Sequence, residues 1–274
     1  MSRFLRTYLF APATRSERFD KAARAGAGSV IVDLEDAVEP ARKDDARTSL
    51  ANTLPALADT ARALKVQLLV RINSHGTPWY DADLAACAGL DLDGIVIPKA
   101  EHADEIARIA SMEPRWALHL LMETAAGFDR LAELARAPNV ARLMLGTVDL
   151  ALDLGANEIG EPLHYYRSQI LLFTRLAGLL PAVDGVCTNL GDATALDAEV
   201  QRARAFGFGA KLCVHPKQIA PVTAGLGPAP REVQWATRVC EVAQSGAAVA
   251  VDGKLVDAPV LAQARRILEA AGHA

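Results

Sequence analysis

Eight short apolar runs recur along this chain of 274 residues, and seven of them carry a polar or charged side chain at or next to their last residue. They cover 8–12, 29–35, 66–73, 94–99, 117–123, 140–149, 182–189 and 210–216. The runs are near-continuously apolar rather than alternating, which is the pattern of strands buried on both faces. Helical patterns separate them, over 16–25, 43–62, 81–88, 103–111, 126–137, 162–179 and 195–206, with a final helical region from Pro230. Ser16 is expected to cap the first helix and Gly26 to stop it. Strands alternating with helices across short connections predict βα units and a parallel sheet. Eight such units fit one α/β domain, a TIM (β/α)8 barrel, which takes ~250 residues. A doubly wound open sheet is the alternative, but no Gly-rich phosphate turn follows the first run.

The pattern assigns 1–246 to the catalytic barrel and leaves 247–274 as a C-terminal extension. Asp252 and Gly253 sit between two apolar runs, a hairpin signal, and 261–271 reads as a last helix. Such an extension is expected to cover the site or pack on a neighbouring subunit.

The strand ends of a barrel converge on one face, where its chemistry happens. In order they supply Glu35 with Asp36, Arg71 with Asn73, Lys99, Glu123, Asp149, Asn189 and His215. That many polar ends on apolar strands points to a site rather than to solvation. Glu123 and Asp149 follow apolar runs, so each requires a partner, a cation or an arginine. Two carboxylates completed by water and substrate oxygens suit Mg²⁺, with Mn²⁺ as the alternative. No HxxxH or Cys/His cluster suggests structural zinc. The fork of Arg71 matches a substrate carboxylate, or else it forms an ion pair with Glu123 inside the mouth. Lys99 is either a Schiff-base lysine or the partner of an acid such as Glu35. His215 reads as a general base or a packed histidine, His75 as a loop residue, and Trp79 and Tyr80 as mouth or loop packing.

Composition narrows the partners. The net charge of −4 comes with no basic stripe, so no nucleic acid is expected. Acidic substrates would depend on a few placed Arg and Lys side chains. The four cysteines are scattered without a CxxC, as in reduced cytoplasmic proteins. No apolar stretch approaches the ~20 residues of a membrane span, so no membrane partner is expected. A divalent cation, an arginine and few proton carriers suit enolate chemistry on a 2-oxo acid or its hydroxy adduct.

An ordered set of motifs then carries a resemblance over nearly the whole length. It comprises Leu9-Phe-Ala-Pro12, Val32-Asp-Leu-Glu-Asp-Ala-Val38 with Lys43 and Arg47, Val70-Arg-Ile-Asn73, Ile97-Pro-Lys99, Met122-Glu-Thr-Ala125 with Gly127, Gly146-Thr-Val-Asp-Leu150, Gly209-Ala-Lys211 and Val214-His-Pro216. The chain resembles the HpcH/HpaI aldolase superfamily, in its citrate lyase β-subunit-like (CitE-like) branch. The resemblance implies a Mg²⁺-dependent lyase, commonly a homotrimer or hexamer. It implies that Glu123 and Asp149 ligate the metal, that Arg71 binds the substrate carboxylate, and that Glu35 and Lys99 support the site. Asp257, in Lys254-Leu-Val-Asp-Ala-Pro259, matches an acid that reaches a neighbour's site in several members, so it is the acid/base candidate. The 2-oxo-acid aldolase branch usually carries a histidine where this chain has Asp36, which favours the thioester branch. Val148, and the stretch Cys187-Thr-Asn189, depart from the acidic residues often found there. CoA, as part of the substrate, would meet basic residues at the mouth, among them Arg15, Arg18 and Lys43.

The expected activity is therefore Mg²⁺-dependent cleavage of a malyl-CoA or citramalyl-CoA type thioester to a 2-oxo acid and an acyl-CoA. The alternatives are an aldolase for free 4-hydroxy-2-oxo acids and a citrate lyase β-type subunit working with an acyl carrier protein. The same site run as a condensation or a thioester hydrolysis is a further possibility.

Overall fold

The apolar runs pair side by side in chain order and close on themselves. A computed structural model describes residues 5–157, 160–244, 250–251 and 254–272. Strands β1 (Thr7–Pro12), β2 (Ser29–Asp33), β3 (Gln67–Arg71), β4 (Gly94–Ile97), β5 (Ala117–Met122), β6 (Val140–Leu145), β7 (Val183–Asp184) and β8 (Ala210–Cys213) form a closed parallel barrel. Its seam is β1 against β8. The β2/β3 register sets Asp33 beside Arg71, so an acid and a base emerge together from two apolar strands.

Each strand divides its side chains between two layers. Tyr8, Ile31, Leu69, Val96, Leu121, Met144, Val183, Ala210 and Leu212 fill the barrel interior. Their strand neighbours, such as Val30, Val32, Leu68 and Val70, pack outward in the large core shared with the helices. Both faces are therefore dry, which explains why the runs do not alternate. The floor is closed by Arg142, which donates to the Tyr8 hydroxyl (2.7 Å) and the Leu5 carbonyl (3.0 Å). His119 lies edge-on to Tyr8. Burial, then Arg142, lowers its pKa to about 3, so its ring is neutral there.

The helices are α1 (Phe19–Ala23), α2 (Lys43–Leu64), α3 (Tyr80–Cys87), α4 (Ala103–Met112), α5 (Ala125–Asp129), α6 (Leu131–Leu134), α7 (Thr147–Leu154), α8 (His164–Leu176), α9 (Ala193–Phe206), α10 (Ile219–Leu226), α11 (Pro230–Gln244) and α12 (Ala258–Ala270). In α2, Leu50, Leu54, Leu57 and Ala61 recur at helical spacing and are all buried. Several expectations need correction. Ser16 makes no cap: it begins a 3₁₀ turn after Arg15, whose side chain does not cap either. The 126–137 segment is two short helices, α5 capped by the Thr124 hydroxyl. The 182–189 run yields only the two-residue β7, and α10 lies between the last strand and the helical region expected from Pro230.

Beyond the barrel, α11 and α12 pack on each other around Ala236, Val239 and Ala264, in a cluster that contains no barrel residue. Between them β9 (Ala250–Val251) and β10 (Lys254–Leu255) pair antiparallel. The expected turn residues Asp252 and Gly253 lie outside the described residues. The pair is tied to the barrel by Arg6, which donates to the Ala270 carbonyl at 2.5 Å, and by an Arg204–Glu232 ion pair. No helix among the described residues is long and apolar enough to cross a membrane.

Candidate active site

At the C-terminal ends of the strands lies a cavity of about 440 Å³. Its polar wall is Asp33, Asp36, Arg71, Glu123 and Asp149, and its apolar wall includes Phe10, Leu121, Val186, Leu212 and Val214. Among the described residues, no histidine, cysteine or lysine lines it.

Glu123 stands one residue past β5 and is only 2% exposed. The Lys99 backbone N–H donates to its Oε1 at 2.9 Å. Gly146 makes room for its carboxylate, since a Cβ there would stand 2.4 Å from Glu123 Oε2. Burial, then the neighbouring charges of Glu35 and Asp149, pushes the Glu123 carboxyl up to about 8. Asp149 is carried not by the strand end but by the first turn of α7, and its side chain stays 34% exposed.

Arg71 is the electrostatic centre. Its Nε and Nη2 donate to the two carboxylate oxygens of Asp33 at 2.8 and 2.7 Å, and its Nη1 donates to Asp36 at 3.2 Å. Glu35 Oε2 stands 2.8 Å from Nη1, out of line for a hydrogen bond. The guanidinium also lies over the Phe10 ring at 4.7 Å. Burial alone would lower its pKa, but Asp33, Glu35 and Asp36 outweigh that and hold it up. Of the two roles the sequence left open to Arg71, the ion pair it makes is with Asp33 rather than Glu123. Asp33 carried no role in the sequence reading. Its signal was a lone acid inside an apolar strand, which requires a cation on the next strand.

Lys99 reaches Glu35 Oε1 at 3.3 Å and Asp149 Oδ1 at 3.9 Å. It therefore pairs with the acid the sequence suggested, and with a second one. Burial raises the Glu35 pKa against the lowering pull of Arg71.

Lys43 does not meet the cavity. It is 4% exposed, and its ammonium donates to the Leu34 carbonyl (2.7 Å), the Glu35 carbonyl (2.8 Å) and Asn73 Oδ1 (2.6 Å). All three of its donors are used inside the fold, so the expectation that it contacts CoA phosphates is withdrawn. Asn73 in turn binds Asp83 and the Leu34 carbonyl, so it too is structural. Arg15 is exposed, three residues past the cavity residue Pro12, and pairs with Glu17. His215 caps a 3₁₀ turn by accepting the Lys217 N–H, and Asn189 faces solvent; neither lines the cavity. Tyr80 is buried beneath Arg108 and Trp79 lies near Lys43, so both pack the loops. Asp257 is exposed and caps α12 by accepting the Val260 N–H at 2.9 Å.

The donor set fits a hard divalent ion. Among the described residues no group of three or more His, Cys, Asp and Glu could hold a metal. Glu123 and Asp149 would be its two protein ligands, with water and substrate oxygens completing the shell, as Mg²⁺ prefers. A buried carboxyl raised to about 8 is one that gains most from a cation beside it.

Comparison with known proteins shows the family. A family model described as HpcH/HpaI aldolase/citrate lyase matches residues 6–216. A citrate lyase subunit beta-like protein of Mycobacterium tuberculosis is 38% identical, covering 97% of this chain and 96% of that protein. A (3S)-malyl-CoA thioesterase of Cereibacter sphaeroides is 35% identical over 96% and 93% of the two chains. The crystal structure of CitE from M. tuberculosis in complex with magnesium, acetoacetate and coenzyme A superposes with a TM-score of 0.85. It is 36% identical and the match covers 97% of this chain and 98% of that one.

Proposed function

Because the chain belongs to the HpcH/HpaI aldolase/citrate lyase family, we propose that it cleaves a 3-hydroxy-acyl-CoA of the malyl-CoA or citramalyl-CoA type. The products are a 2-oxo acid and an acyl-CoA. The observation that carries this reading is the pair Glu123 and Asp149 facing one cavity with Arg71. The magnesium and coenzyme A of the M. tuberculosis CitE complex support it.

Arg71 has five N–H donors and spends three on Asp33 and Asp36, which leaves two for a substrate carboxylate. The Asp33 clamp fixes the plane of the fork, so the carboxylate arrives in one orientation. Glu35 and Lys99 hold the charge around it. The Lys99 amide donates to Glu123 Oε1 and so fixes the orientation of that carboxylate. Mg²⁺ between Glu123 and Asp149 would supply Lewis acidity toward the carboxylate and its neighbouring oxygen. The hydroxyl proton goes to a base, the carbon–carbon bond breaks, and its electron pair passes into the thioester enolate, which is then protonated. The apolar wall keeps water from that carbanion.

Asp257 of a second copy is the acid/base in this reading, as the family resemblance implies; its own side chain is exposed and free of the barrel interior's dry packing. Exposed Leu152, Tyr165, Leu172 and Leu176 on α7 and α8 support a homo-oligomer, read as a trimer or hexamer. Arg15 would meet the CoA phosphates. The cytoplasm is the proposed location, and an acyl carrier protein is the alternative carrier of the acyl group.

The test is to incubate the purified protein with Mg²⁺ and malyl-CoA, citramalyl-CoA or a free 4-hydroxy-2-oxo acid, following glyoxylate or pyruvate, with EDTA as control. Release from a CoA ester alone supports the lyase and names the acyl group. Release from the free acid alone assigns the aldolase alternative. Free CoA without a 2-oxo acid assigns hydrolysis, the reading favoured by the C. sphaeroides relative's name.

A further inference from the structure

We propose that the Lys99 ammonium is the resident cation of the acid cluster at the mouth, standing where charge is needed until a divalent ion binds and displaces it. Three non-glycine residues among those described have positive φ. Lys65 closes α2 and Asn139 turns into β6, both ordinary places for the left-handed region. Lys99, at φ 46, ends no helix. It stands just past β4, where a Cβ is disfavoured in this conformation. That backbone lets one residue serve three acids. The amide donates to Glu123 at 2.9 Å, while the side chain turns to Glu35 (3.3 Å) and Asp149 (3.9 Å).

The charges around it come from every neighbouring element: Asp33, Glu35 and Asp36 from β2 and its end, Arg71 from β3, Glu123 from β5 and Asp149 from α7. Arg71 is occupied by the β2 acids. Lys99 is thus the described cation beside Asp149. A divalent ion between Glu123 and Asp149 would meet an ammonium held 3.9 Å from one of its ligands, and like charges at that range repel. The ammonium can give way because its side chain is 36% exposed. The amide cannot leave with it, so Glu123 stays aimed while the charge is exchanged. Backbone and side chain of one residue therefore do separate tasks, and Lys99 is a positioning residue that tunes metal affinity rather than a Schiff-base nucleophile.

This inference rests on Glu123 and Asp149 being the metal ligands, so the experiment separates the two. Mg²⁺ is titrated calorimetrically into wild type, Lys99→Met, Lys99→Arg and Glu123→Gln at pH about 9, where Glu123 is ionised and lysine still charged. Lys99→Met is expected to bind Mg²⁺ about tenfold more tightly than wild type, and Lys99→Arg within about threefold of it. Glu123→Gln should bind far more weakly. Independently, reductive methylation of wild type, read by peptide mass spectrometry, should label Lys99 several-fold faster with saturating Mg²⁺ than without. A merely supporting lysine would give weaker binding in Lys99→Met and no Mg²⁺-dependent labelling, and either result overturns the inference. Wild-type affinity in Glu123→Gln would instead overturn the assignment of the metal pair. The labelling experiment needs no variant, so it decides the matter even if Lys99→Met fails to fold.

Discussion

Glu123 couples proton and metal in one buried carboxyl. Its folded value near 8 lies above the ordinary 4.5, so the fold prefers it protonated. A group raised in this way costs stability progressively as pH climbs from about 4.5 to about 8, and no further beyond. Glu35, also raised, acts in the same direction, so the comparison must be with a variant. The melting temperature of metal-free Glu123→Gln should overtake that of wild type increasingly from pH 5 to 8, as thermal unfolding would measure. For the same reason Mg²⁺ must displace a proton below pH 8, and its affinity should rise by up to about tenfold per pH unit until then. Calorimetry in buffers of different ionisation enthalpy would count that proton; a pH-independent affinity would contradict the shift. Gly146 can be tested at this scale too. A Cβ 2.4 Å from Glu123 Oε2 must push the carboxylate aside, so Gly146→Ala should lower Mg²⁺ affinity about tenfold or more while shifting the fold's stability by about 1–3 kcal/mol. Residues at strand ends were legible in the sequence because apolar runs stop at them. Asp33 was not, because it lies inside its run and its meaning depends on the register with Arg71.

At the scale of elements, the join between β2 and β3 depends on Lys43. Its ammonium gathers two carbonyls after β2 and the Asn73 amide oxygen after β3, while Asn73 is fixed by Asp83 of α3. Lys43→Met would leave these buried acceptors unpaired and should cost about 2–4 kcal/mol, seen in urea unfolding. It should not change the ratio of KM for a CoA thioester to that for its pantetheine analogue, which lacks the nucleotide phosphates. Arg15→Ala should raise that ratio, and an unchanged ratio would remove Arg15 from the CoA site. The sequence could not separate these two cations, because a lysine at the start of α2 reads alike whether it points outward or under the strand ends. The longer strands were legible as continuous apolar runs, and α2 through its helical periodicity. The broken α5–α6 segment and the two-residue β7 were not, since short pieces take their conformation from tertiary packing and local caps such as Thr124.

For the whole molecule, the barrel was readable from its rhythm, whereas the way α11 joins α12 was not. A helix pattern says which face is apolar, but nothing about which element covers it. That pair has its own small cluster, and its ties to the barrel include the Arg6–Ala270 hydrogen bond and the Arg204–Glu232 ion pair. A chain ending at residue 228 should therefore keep the circular dichroism of the barrel and lose only a few degrees of melting temperature, about what 1–2 kcal/mol represents at this size. If Asp257 serves a neighbouring copy, this shortened chain should still bind Mg²⁺ but turn over at least about a hundredfold more slowly; full turnover would exclude Asp257. The seam of β1 against β8 has a consequence of another kind. Thr7 cannot meet Lys211 until almost the whole barrel sequence has left the ribosome. Until then the growing sheet has two raw margins, the first strand and the latest one made, each able to pair with a foreign strand. The last strand is thus a timing device: its arrival is what removes both open margins at once.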